Sequence, residues 1–209
     1  LGVYGYPRPT SPNIDQLAES GWRFTNATAA SSWTKPSVAS LFTSRHPSEH
    51  GAVSFDRDLS PSLPTLPAIF ASAGYRTVGV SGNFVHIAER TGFARGFDHF
   101  ETLAFEVERQ GEDTLLSMPG EAGETAFLRA ASAAEINRRV LDLLPDGGER
   151  PIFLYVHYME PHPGYSPPEP ERSAFVTDAA VHARGEPATS AYLSALAGSR
   201  APVADSERQ

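Results

Sequence analysis

Residues 151–158 read Pro-Ile-Phe-Leu-Tyr-Val-His-Tyr, a near-continuous apolar run, and no other feature of the chain narrows the fold so far. A strand with one wet face alternates apolar and polar side chains. A run apolar at successive positions needs cover on both faces, as in a parallel strand with helices above and below. It predicts an α/β protein built on a mostly parallel sheet. Arg76 to Val80 is a second β-rich stretch, and it follows an amphipathic helix predicted from Leu66, Ile69 and Phe70 and closed by Gly74. Trp22 to Ala27 alternates large apolar with polar residues, which predicts a short half-buried strand. The segments near 22–27, 76–82 and 152–158 are expected to share one sheet.

Helix signals fill the intervals. After the Pro-rich opening Tyr4 to Pro12, Asn13 stands as an N-cap before Ile14, Leu17 and Ala18, with Gly21 as the stop. Pro36 suits the first turn of a helix carrying Val38, Leu41 and Phe42, which places Thr34 at its head beside unpaired backbone N–H donors. Glu121 to Leu144 is rich in Ala, Leu, Glu and Arg and predicts one long helix, ended by Pro145-Asp146-Gly147-Gly148. Beyond Tyr165 the chain turns to Pro, Glu, Ala and Ser, and Gly198 to Gln209 reads as a loose tail.

Composition removes several function classes. The formal charge of −8 over 209 residues leaves no dense basic stripe, so nucleic acid is not an expected partner. With no cysteine, any metal must sit on oxygen and imidazole ligands. No apolar run approaches the roughly 18 residues that cross a bilayer. The opening on Leu1, without a charged segment and an apolar one behind it, reads as a piece of a longer chain.

The chemistry is concentrated in Ser32-Trp33-Thr34-Lys35-Pro36-Ser37-Val38-Ala39-Ser40-Leu41-Phe42-Thr43-Ser44, followed by His46-Pro47 and His50-Gly51. This segment resembles the sulfatase signature, in which a Cys or Ser precedes x-Pro-Ser and a helix. The likeness continues through Ser11 to Ala18, Phe24 to Ala27, Gly74 to Thr77, Gly92 to Asp98 and Phe153 to Pro168. It covers residues 1 to about 170, the N-terminal part of a sulfatase-like catalytic domain of the alkaline phosphatase superfamily, with 171–209 its continuation or a tail.

The resemblance implies an alkaline-phosphatase-like sandwich and a hydrolase of sulfate or phosphate esters. Its substrate is a small-molecule, glycan or lipid ester. Thr34 takes the position of the nucleophile, which is also a metal ligand. Pro161-His162 matches the pair that sets an imidazole beside the ester oxygens, so the Thr34 and His162 loops are expected to open at one edge of the sheet. Lys35 and Asn83 are the further candidates for holding the anion. The resemblance implies a divalent cation, calcium or magnesium for a sulfatase and zinc or manganese for relatives with a native Thr. Its other ligands are expected upstream of Leu1 and downstream of Gln209.

Three departures bear on the activity. Sulfatases mature a Cys or Ser into formylglycine, a conversion not expected of Thr, so Thr34 would attack directly. Val38 stands where sulfatases carry an Arg, and Ser81-Gly82-Asn83 where many carry Gly-Lys. Phosphodiesterases and phosphoethanolamine-type transferases therefore compete with the sulfatase reading, as does a non-catalytic scaffold that kept only the fold. In isolation a Thr before a Pro is an ordinary helix cap, and His157 on an apolar strand is an ordinary core histidine. His46 and His50 suggest a structural role in fixing the helix of Thr34. The acidic run from Glu106 to Glu112 reads as a solvated face.

Overall fold

The computed structural model describes residues 1–106, 116–119, 125–144, 148–162 and 170–174. Helices α1 (Pro12–Ser20), α2 (Thr34–Thr43), α3 (Pro47–His50) and α4 (Leu66–Ser72) come first. Strands β1 (Arg76–Ser81), β2 (His99–Thr102), β3 (Ala104–Glu106), β4 (Leu116–Pro119) and β5 (Thr125–Ala130) follow. Helix α5 (Ala133–Leu143), strand β6 (Ile152–His157) and the single turn α6 (Glu171–Ala174) complete the order.

The main sheet runs β2-β1-β6, and both pairings are parallel, with Val78 opposite both His99 and Leu154. The second sheet, β3-β5-β4, is antiparallel. β1 is buried from Thr77 to Ser81, and each face of the main sheet carries its own apolar core. On one face Phe42 of α2 meets the rings of Phe93, Phe97 and Tyr155, while Phe70 of α4 stacks on Phe153 at 4.5 Å. On the other, Val80 packs with Ala131, Ile136 and Val140. Each such side chain taken from water is worth about 1.5–3 kcal/mol, so the two cores hold the helices against the sheet from both sides. The result is the α/β fold with a parallel sheet expected from the apolar run at 152–157, although Ile152 and Leu154 of β6 each remain 38% exposed.

Two sequence expectations fail. Residues 22–27 form no strand, and Trp22 is 91% and Phe24 69% exposed. Alternation identifies a ribbon with one apolar side, but a strand also needs a pairing partner, and among the described residues 22–27 pairs with no strand. The segment is tied to the opening residues instead, through Tyr4 Oη donating to Phe24 O and Arg23 donating to Val3 O.

The long helix expected from Glu121 is the second correction. Residues 121–124 lie outside the described residues, but 125–130 are β5, and the helix begins only at Ala133. Helix propensity is a weak prior that tertiary pairing overrides, and β5 is held on both sides by β3 and β4. Ser132 then starts α5 with a capping box: its Oγ accepts from Glu135 N, and Glu135 accepts from Ser132 N. Arg129 of β5 also grips Glu135 with two hydrogen bonds of 2.9 and 2.8 Å. These bonds from Arg129, and then the backbone of Ser132, pull the Glu135 carboxyl down to about 2. A smaller difference lies in α1, whose cap is Ser11 and whose first residue is Pro12.

Candidate active site

Thr34 is the first residue of α2, half buried, and the N-cap before it is Trp33 in an extended conformation with no side-chain cap bond. Pro36 has no N–H to offer. The head of the helix therefore presents the backbone N–H groups of Thr34 and Lys35, where the aligned peptide dipoles place about half a positive charge. Two contacts fix where this helix end lies. Ala39 and Phe42 are sealed in the core, and Ser40 Oγ lies 3.1 Å from Nε2 of the buried His50. Because Ala52 N donates to His50 Nδ1, the ring proton is on Nε2 and is donated to Ser40. Burial holds His50 below the ordinary imidazole range, which favours this neutral form. His46 caps α3, its backbone N–H donating to Glu49. Both histidines thus stand in the structural setting that their positions suggest.

Lys35 is fully buried. Its Nζ donates to Asp58 Oδ1 at 2.9 Å, to Phe55 O at 3.2 Å and to Ser54 O at 3.3 Å. An ammonium taken out of water is tolerated only when its donors are matched, and here all three are. Asn83 is also buried, just beyond the carboxyl end of β1. Its backbone N–H donates to Ser81 Oγ, and its Oδ1 accepts from His86 N at 3.0 Å, so its side chain caps the turn that presents His86.

His86 was not singled out by the sequence. Its ring lies edge-on to Trp33 at 5.4 Å and to Phe55 at 4.9 Å, and Trp33 stacks on Phe55 at 5.7 Å. Burial first, and then the positive charges of Lys35, Arg90 and His162, push His86 below the usual imidazole range. The ring contact of His86 with Trp33 brings the turn after β1 against the head of α2. His162 is exposed, in a turn closed by its own N–H donating to Met159 O at 2.7 Å. The same turn is moored to α5, where Glu160 accepts from Ala133 N and Tyr158 Oη donates to Asn137. His157 stays on β6, its Nδ1 2.9 Å from Tyr155 Oη, and burial lowers its pKa.

The turns after β1 and β6 lie outside the carboxyl ends of parallel strands, the general location of ligand sites in open α/β sheets. That position was the available signal for His86. Its neutral ring supplies a proton acceptor, the head of α2 supplies anion-facing donors, and Thr34 supplies a hydroxyl.

The sulfatase family model matches residues 1–199. The chain belongs to the sulfatase family. Arylsulfatase A of Bos taurus is 41% identical to this chain over 92 residues, covering 40% of the chain and 18% of the relative. N-acetylglucosamine-6-O-sulfatase of Bacteroides thetaiotaomicron is 26% identical over 168 residues, covering 80% of the chain and 29% of the relative. The chain thus spans under a third of the length of these relatives. Its fold is similar to that of the phosphonate monoester hydrolase of Agrobacterium radiobacter, with TM-score 0.59 and 23% identity over 85% of this chain and 42% of that one.

Sulfatases generally use a divalent metal. Among the described residues no group of three or more His, Cys, Asp or Glu side chains is placed to hold one. These described residues alone do not compose a metal site.

Proposed function

We propose that the intact protein hydrolyses a sulfate or phosphate ester, with Thr34 as the nucleophile and His162 beside the ester oxygens. The observation that carries this reading is the position of Thr34 at the uncapped head of α2, with the ring of His86 packed edge-on against the neighbouring Trp33. An ester of this kind carries its negative charge on non-bridging oxygens, so catalysis needs aligned donors and positive groups more than a strong base. The head of α2 offers such donors, the ring of His86 packs against Trp33 beside it, and His162 is assigned to the ester by the motif that the chain shares with sulfatases. Asn83 supports the site through the turn of His86, and Lys35 supports it from below. Direct contact between Lys35 and the ester would require its ammonium to leave Asp58 and two carbonyls.

The native threonine favours phosphoryl over sulfuryl chemistry. Formylglycine hydrate ejects its sulfate by eliminating through a second hydroxyl, a route that Thr34 lacks. A threonyl phosphate is relieved by in-line attack of water on phosphorus, or of an acceptor alcohol in the transferase form of the same reading. The test is to assay the intact protein on 4-nitrophenyl sulfate and 4-nitrophenyl phosphate, which share one leaving group, with calcium, magnesium, zinc or manganese supplied in turn. Faster turnover of the phosphate ester is expected. Faster turnover of the sulfate ester would overturn the phosphoryl preference, and no turnover of either would favour the scaffold reading.

A further inference from the structure

Phe55 is out of place on two counts. It is 74% exposed, yet one face stacks on Trp33 and its edge meets His86, so the ring is held in a defined position with its remaining surface bare. The backbone that carries it is fastened from beneath. The fully buried ammonium of Lys35 donates to Ser54 O, Phe55 O and the carboxylate of Asp58. Ser54 Oγ also donates to Asp56 within the same loop. The loop is anchored at its ends by the buried Ala52 and Leu59, and between them the stretch that carries Phe55 is held by a lysine adjacent in sequence to Thr34.

We infer that Lys35 is a positioning residue, a strut that holds Phe55 over Trp33 and His86 as an aromatic lip against which the leaving group of the ester lies. This rests on the reading of Thr34 as nucleophile, because the lip borders the head of α2. Trp33 and Lys35 flank Thr34 in the chain, so the hydroxyl, the lip and its strut are set by one helix end. Fixing the loop before substrate arrives removes an ordering cost that would otherwise be charged against binding. The role is separate from anion recognition, since the ammonium is already neutralised by Asp58.

The test compares 4-nitrophenyl phosphate with methyl phosphate, or the sulfate counterparts if those are turned over, in the intact protein. Phe55→Ala is expected to raise KM for the 4-nitrophenyl ester about fivefold, the scale of one aromatic contact, and Lys35→Met to do the same through the loop. The double variant should be no worse than either single one, because both remove the same contact. In a background that leaves Trp33 as the one tryptophan of the intact protein, quenching of its emission by 4-nitrobenzylphosphonate, whose P–C bond resists hydrolysis, reads binding without turnover. It should weaken about fivefold in both variants. If quenching follows this pattern while Thr34→Ala retains full turnover, the strut stands and the nucleophile reading falls. If Lys35→Met lowers kcat for both esters with wild-type quenching, Lys35 acts at the ester itself and the inference is overturned. Should Lys35→Met fail to fold, Asp58→Asn combined with Phe55→Ala carries the test, and strictly additive losses overturn it.

Discussion

Thr34→Ala is expected to abolish ester turnover in the intact protein, by about 10⁴-fold or more, the scale seen when a nucleophile is removed. The size follows from the arrangement, since no second hydroxyl is offered by the first turn of α2 until Ser37, one helical turn further on. The loss should come without unfolding. Ala is the best helix former, Trp33 rather than Thr34 is the N-cap, and α2 is held by Phe42, Ala39 and the Ser40–His50 bond, none of which the substitution touches. Thermal melts of wild type and variant should therefore coincide while activity does not. Thr34→Ser keeps the hydroxyl and is expected to retain most of the rate.

Gly96→Ala is expected to cost about 3 kcal/mol or more of stability, because it combines left-handed backbone strain with overpacking against main chain. Gly96 has φ +87, and a Cβ placed there would lie 2.2 Å from Ala68 N and 2.5 Å from Ala68 Cα. The obstacle is the backbone of α4, which no rotamer change can move aside. Gly96 O also accepts from Thr77 Oγ1 at 2.9 Å, so a shift of this turn away from α4 would pull on β1. Gly74 is the internal control: its φ is +85, but nothing lies within 4 Å of a Cβ there. Gly74→Ala carries only the dihedral penalty, about 1–2 kcal/mol. Urea unfolding of both variants measures the difference, and equal losses would remove the close approach of the 92–97 turn to α4 from the account.

The parts of the fold legible in sequence were those where one segment carries its own evidence. The run at 152–157 announces a parallel strand, though the cover it predicts on both faces stops short of Ile152 and Leu154, and the step from Phe70 through Gly74 to Val80 announces a helix feeding β1. Pro36 and the apolar spacing after it locate α2. Residues 22–27 and 121–144 misled because their pattern was local and the deciding term was not. Trp22 and Phe24 alternate correctly but pair with no strand among the described residues, while 125–130 has helix-forming composition and is claimed by two neighbouring strands.

The site divides in the same way. Thr34 and His162 were visible through motif likeness, and Asn83 through its place at a strand end. Lys35 was visible as a charge but not as a buried one, because its acceptors lie 19 to 23 residues away. His86 carried no spacing signal, and its setting exists only once Trp33, Asn83 and Phe55 have been folded around it.

The account turns on whether Thr34 becomes covalently esterified. The direct measurement is to mix the intact protein with substrate radiolabelled in its phosphoryl or sulfuryl group, quench with acid within one turnover, and map the label by peptide mass spectrometry. Label on the peptide containing Thr34, absent from the Thr34→Ala protein, is the predicted result. Turnover accompanied by label on another residue, or by none under conditions where the intermediate should accumulate, would contradict it.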